Sequence, residues 1–214
     1  MSTLIKKGCI EMETKPEKLV YSVGFVSLSR EELAAQVESQ MSAKRFKHVL
    51  GVEKAAIHLA DIYGASKEAA SIAALCHDYA KERPDQEMTE LIVADEHLEE
   101  DLLDYGSNIW HGPCAAEIAK KEFQLTDEDI LNAIRYHTIG RSEMSLLEQV
   151  IYVADFIEPG RNFPGVEEAR VLASRDLQEA VTYETQQTLL HLIQTKKKIY
   201  PKAVATFNKW VANK

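Results

Sequence analysis

From Ser29 onward apolar and polar positions alternate with the three-to-four-residue spacing of helices that bury one stripe, and the pattern holds almost to the C-terminus. The spacing predicts helices over residues 30–41, 43–63, 66–82, 86–94, 113–123, 127–138, 146–157, 165–173, 177–195 and 201–212. Gly64, Pro84, Gly140, the Pro159-Gly160 pair and Pro201 punctuate them as stops or first-turn residues. Ser29 with Glu32, Thr126 with Asp129 and Ser145 with Glu148 have the spacing of N-terminal capping boxes, Asp being the weaker partner. Residues 1–28 differ: they end in a β-branched and aromatic stretch that alternates only loosely. A short hairpin, an edge strand or a poorly ordered extension all fit that stretch, and it stays unassigned. No internal repeat, linker or composition shift follows residue 29, so one all-α domain over 29–214 is the simplest organisation.

Composition changes little in this picture. The chain has 214 residues, 45% hydrophobic and 28% charged, which suits an ordinary globular protein able to bury a sizeable core. Its formal net charge of -9 argues against nucleic acid or an anionic membrane surface as a partner, so an anionic substrate would need a local positive site. No apolar run approaches the roughly 20 residues of a membrane span. The acidic residues and Pro16 near the start also interrupt any signal-peptide core. Three cysteines, Cys9, Cys76 and Cys114, form no Cys-x-x-Cys pair, which fits a reducing cytoplasm.

Candidate chemistry begins where the apolar pattern is broken. His77 and Asp78 end an Ala-rich segment in which a buried carboxylate is costly unless a cation or partner compensates. Helical spacing places His48 with Val52, Ala55 and Leu59, and His77 with Ala70, Ala73 and Ala80. His137 closes the row Ile130, Ile134, and Asp155 extends the row Leu147, Ile151. Four helices thus direct ligand-type side chains along predicted buried faces, and His111, before Gly112-Pro113, is either a further ligand or a helix cap. A single core histidine is ordinarily satisfied by a carbonyl. Two carboxylates in core stripes together with these histidines point to a metal site. No Gly-x-Ser-x-Gly or Gly-rich phosphate loop offers a competing chemistry.

The ordered set His48, His77-Asp78, His111, His137 and Asp155 resembles the signature of the HD-domain metal-dependent phosphohydrolases, an all-helical family. It is most similar to their bacterial branch of symmetrical diadenosine tetraphosphate hydrolases. The segments carrying the likeness are Lys-Arg-Phe-Lys-His-Val-Leu-Gly-Val, Leu-Cys-His-Asp-Tyr-Ala-Lys, Asn-Ile-Trp-His-Gly-Pro, Arg-Tyr-His-Thr-Ile-Gly, Val-Ala-Asp-Phe-Ile-Glu and Ile-Tyr-Pro-Lys, between residues 44 and 202. The resemblance implies a single HD-domain helical bundle and a binuclear centre, commonly of iron. His48, His77, Asp78 and Asp155 would surround one metal, with His111 and His137 serving a second position or the substrate. Mixed nitrogen and carboxylate ligands suit iron, manganese or cobalt better than a structural zinc. It further implies symmetric cleavage of diadenosine tetraphosphate to two ADP, with His111 or His137 positioning or protonating the departing phosphate. The competing functions are an HD-domain nucleotidase or cyclic-dinucleotide phosphodiesterase, and a non-catalytic nucleotide-sensing metal protein.

Several residues flank this set. Lys81, one turn beyond His77-Asp78, can reach a metal-bound phosphate or serve as a solvated C-terminal lysine. Arg161 after Pro159-Gly160 can clamp a phosphate bidentately or stay solvated. Thr138 offers a hydroxyl to the site or a cap. Tyr200 stacks on a purine or packs in a turn, and Lys202 lies in the first turn of the last helix, whose amides can attract phosphate. A dinucleoside polyphosphate or ADP is the expected partner, and a homodimer is compatible with the sequence.

Overall fold

The computed structural model describes residues 19–22 and 24–213, and among them the regular structure is helical throughout, with no strand. Ten α-helices follow in order: α1 (Arg30–Ser39), α2 (Ala43–Tyr63), α3 (Lys67–Cys76), α4 (Asp85–Ala94), α5 (Ser107–Glu122), α6 (Glu128–Tyr136), α7 (Leu146–Ile157), α8 (Val166–Ala173), α9 (Leu177–Gln194) and α10 (Pro201–Phe207). A 3-10 turn at Glu100–Asp104 precedes α5, and a π turn at Asn208–Ala212 follows α10.

Local chemistry sets most of these ends. Capping boxes at Ser29 and Ser145 satisfy the orphan amides of α1 and α7 with Glu32 and Glu148. Ser42 and Ser66 cap α2 and α3, and Gly64 ends α2 in the left-handed region at φ 77°, where a side chain would be strained.

Four expected boundaries change. The cap of α6 is Asp127, whose side chain accepts from the amides of Asp129 and Ile130, so Thr126 is not the start. An Asp directly before the helix reaches those amides better than a Thr one residue earlier. The α3 helix stops at Cys76, after which the chain continues in tight turns through Lys81. The span 201–212 divides into α10 and the π turn. The largest change is in α5, which begins at Ser107 and carries Pro113 inside it, so His111 is a helical residue and not a cap.

α3 is the central element. Its residues Ala69 to Cys76 are all buried, and it contacts α1, α2, α5, α6 and α7. Small Ala side chains let the neighbouring backbones close in from every side, and that brings their inward residues to the end of α3. One hydrophobic core runs from Val26 to Ala203. Residues 19–22 and 24–28 lie against it without regular structure: Tyr21 Oη bonds Ser71 Oγ at 2.7 Å, Ser22 bonds Glu68, and Val26 is buried. The first 18 residues of the unassigned extension, with Cys9, fall outside the described part.

Candidate metal centre

The six ligand-type residues converge at the C-terminal end of α3. His48 comes from the second turn of α2, His111 from α5 and Asp155 from α7, while His77 and Asp78 follow α3 and His137 follows α6. Asp78 stands between two groups of imidazoles. Its Oδ2 is 3.5 Å from both His48 Nε2 and His77 Nε2, and its Oδ1 is 3.3 Å from His111 Nε2 and 3.9 Å from His137 Nε2. Asp155 Oδ1 lies 3.1 Å from His48 Nε2. Two subsets, His48–His77–Asp155 and His77–Asp78–His137, bring their donor atoms within 4.8 Å of one another.

The imidazoles are oriented from behind. His77 Nδ1 donates to the Ala74 carbonyl at 2.6 Å and His137 Nδ1 to the Ile134 carbonyl at 2.8 Å, each using an acceptor that a helix C-terminus leaves open. His111 Nδ1 donates to the Ser107 carbonyl at 3.0 Å, and His48 Nδ1 faces Glu158 Oε1 at 3.1 Å. A proton on Nδ1 leaves the Nε2 lone pair for the site. His48 Nε2 and His77 Nε2 are buried with no hydrogen-bond partner, and His111 Nε2 and His137 Nε2 face each other at 3.0 Å. Converging lone pairs beside two carboxylates are costly without a cation and well matched to one. The donor set fits a metal ion.

Electrostatics agree with that match. Burial raises the pKa of Asp78, but His77, His111 and His137 outweigh it and hold the carboxyl well below its usual range. Asp155 is likewise lowered against burial, through His48, His77 and Arg161. Burial, with Lys81 and His137 nearby, pushes His111 well down, and burial with His77 brings His137 to about 4. His77 goes the other way, because Asp78 and Asp155 outweigh its burial.

The flanking residues divide. Lys81 Nζ is 3.3 Å from both Asn108 Oδ1 and His111 Nδ1, and burial lowers its pKa. Thr138 Oγ1 is 3.2 Å from His111 Nε2 and 3.1 Å from His137 Nε2. Arg161 binds Asp155 through Oδ1 at 2.6 Å and through the carbonyl. Tyr200 is buried, its hydroxyl donating to Glu99 and Asp101, while Lys202 Nζ pairs with Glu99 at 2.6 Å. A cavity of about 270 Å³ joins Lys81, Asn108 and Thr138 to Tyr152, Leu189 and Tyr200, and Lys202 does not line it.

Three further residues stand around the centre. Arg45 Nη1 binds Asp78 Oδ2 at 2.9 Å, and its place one turn before His48 on the same helical face was a usable signal. Asn108 lies in the first turn of α5, ahead of the start at residue 113 that periodicity predicts. Glu158, three residues after Asp155, looked like part of the Pro-Gly turn.

Comparison with known proteins adds identity to this geometry. Residues 45–160 match the model of the HD domain. The chain is 45% identical to a symmetrical bis(5'-nucleosyl)-tetraphosphatase of Bacillus subtilis, over 87% of this chain and 99% of that protein. It is 42% identical to the protein of the same name from Halalkalibacterium halodurans, over 85% and 96% of the two chains. A crystal structure described as a predicted HD superfamily hydrolase involved in NAD metabolism, from Clostridium acetobutylicum, superposes with a TM-score of 0.82 at 37% identity, covering 87% of this chain and 99% of that one. The match spans α2 to α7, the helices that gather the histidines and carboxylates at the end of α3, and the chain belongs to the HD-domain family, in its group of symmetrical bis(5'-nucleosyl)-tetraphosphatases.

Proposed function

We propose that this chain is a metal-dependent hydrolase that cleaves diadenosine tetraphosphate at the centre of its phosphate bridge, giving two ADP. The observation that carries the chemistry is the set of inward Nε2 atoms around Asp78. The substrate assignment is supported by relatives named symmetrical tetraphosphatases over nearly their whole length. His48, His77, Asp78 and Asp155 would hold one ion. Asp78, with His111 and His137, would hold another, and iron fits the mixed nitrogen and oxygen donors, as do manganese and cobalt. A bound ion would supply charge neutralisation at the phosphates and an activated water.

The remaining work falls to the protein. Lys81 and Arg161 bind bridge oxygens, and Thr138 donates a hydroxyl hydrogen bond beside them. His111 and His137 are held neutral with their lone pairs toward the site, which favours ligation over delivery of a proton. The departing ADP is instead balanced by the Lys81 ammonium. One water adds across the central P–O–P bond: its oxygen stays on the terminal phosphate of one ADP, and the former bridging oxygen leaves on the other. The cavity beside Lys81 offers apolar walls from Ile109, Ile139 and Leu189 with the hydroxyls of Thr185 and Thr188, and takes one nucleoside. Cys76 and Cys114 are buried free thiols, which accords with a reducing cytoplasm. Among the described residues no helix is long and apolar enough to cross a membrane.

Anaerobic incubation of the metal-loaded chain with diadenosine tetraphosphate tests the assignment. ADP as sole product is expected. AMP with ATP would mean asymmetric cleavage, and intact substrate with metal-dependent stability would mean a sensor.

A further inference from the structure

Glu158 is a carboxylate that the proposed chemistry leaves without a task, yet it is only 4% exposed. It follows the last residue of α7, where Oε1 lies 3.1 Å from His48 Nδ1 and Oε2 accepts the Gly160 amide. Arg161 Nε is 3.9 Å from Oε1. Space for this carboxylate is made by two glycines. A Cβ on Gly51, one turn after His48 on α2, would stand 2.4 Å from Glu158 Oε2, and one on Gly160 would stand 2.9 Å from it. On the opposite side of the same ring, His48 Nε2 is buried without a hydrogen-bond partner, 3.1 Å from Asp155 Oδ1.

We infer that Glu158 is a positioning residue for the metal centre: by accepting the Nδ1 proton of His48 it fixes the tautomer and ring angle that turn the Nε2 lone pair inward, and Gly51 is the residue that lets it reach. A neutral imidazole left to itself carries its proton mainly on Nε2, which would block ligation. A carboxylate behind a ligating histidine both selects the useful tautomer and makes the ring a better donor, and loss of such a partner lowers metal affinity about 10–100-fold. The inference deepens the metal-site part of the proposed function and is independent of which phosphate ester is cleaved.

Four measurements on the whole chain test it: the His48 tautomer, Co²⁺ affinity, the visible spectrum and turnover. In the metal-free protein, long-range proton–nitrogen correlation, with H48Q to assign the signal, should show His48 protonated at Nδ1. Glu158→Ala should move that proton to Nε2 and weaken Co²⁺ binding about 10–100-fold, with a changed visible spectrum of the Co²⁺ protein. Gly51→Ala should reproduce both effects with Glu158 in place, because the added methyl displaces the carboxylate. Glu158→Gln, which keeps an acceptor oxygen, should restore part of the affinity. Turnover should fall through kcat more than KM. Wild-type His48 protonated at Nε2 would overturn the inference, as would unchanged tautomer and affinity in Glu158→Ala. Should Glu158→Ala fail to fold, the wild-type spectrum and Gly51→Ala decide alone. If the chain binds metal but leaves diadenosine tetraphosphate intact, the substrate assignment fails while these readouts still stand.

Discussion

Asp78 turns one oxygen to His48 and His77 and the other to His111 and His137, so no neighbouring group can take its place. Asp78→Ala should reduce hydrolysis to background and sharply lower bound metal; full metal content by elemental analysis would contradict the assignment. Lys81 touches only the rim of the cluster through Asn108 and His111. Lys81→Ala should keep its metal and raise KM about 10-fold or more, the worth of a charged hydrogen bond; lost metal with unchanged KM would refute the role. Glu184 lies on α9. Its Oε2 is buried without a partner, and burial, reinforced by Asp155, pushes its pKa well up. The folded state therefore holds a proton that the unfolded chain releases. Stability is complete below the ordinary Glu range and is lost as pH rises toward the folded pKa. In metal-free protein, Glu184→Gln should melt higher than wild type at pH 8 and equal to it near pH 4, and parallel profiles would disprove the shift. Five of the six ligand-type residues were legible because a polar side chain in an apolar row is conspicuous, and His111 was not, because it fell outside the predicted helices. Arg45 and Glu158 gave less contrast: Arg45 lies between Lys44 and Lys47 and shows only by its place one turn before His48, and Glu158 abuts the Pro159-Gly160 turn.

At the scale of elements, α5 and α6 meet at a glycine. A Cβ on Gly112 would stand 2.8 Å from the Arg135 carbonyl oxygen and 3.4 Å from His137 Cε1, and the backbone of α6 has little room to yield. Gly112→Ala should cost about 1–3 kcal/mol by overpacking, read by denaturant unfolding, and should separate His111 from His137 enough to weaken metal binding. A stable variant with unaltered affinity would show that the close approach is unimportant. The same segment shows where periodicity misleads. Pro113 reads as a helix start, since proline lacks a donor and suits a first turn. Packing of α5 against α6 compensates for the interior proline, and His111 thereby becomes a helical residue aimed inward. The ends of α3 and α6 were overrun for a related reason: His77 and His137 keep helical backbone angles, but their rings bind carbonyls of the preceding turn.

For the whole molecule, the centre joins α2, α3, α5, α6 and α7, so an ion held there would tie together helices distant in sequence. Metal at about 100 times its dissociation constant should add about 2.7 kcal/mol, a rise in Tm of roughly 5–10 °C for a chain of this size. Melting curves with and without a chelator measure it, and coincident curves would argue against a metal bound by the native state.

The sequence by itself determined the helical class, the capping boxes at Ser29 and Ser145, and that His48, His77, Asp78, His137 and Asp155 break apolar stripes, because those features depend on neighbours within one or two turns. Only the tertiary structure decided that Asp78 separates two imidazole groups, that Arg45, Asn108 and Glu158 stand around them, and that Lys202 turns away to Glu99. Distances of that kind depend on how closely helices approach. Gly51, Gly112 and the alanines of α3 set that approach by the side-chain volume they lack, and a missing volume has meaning only when the facing surface is known.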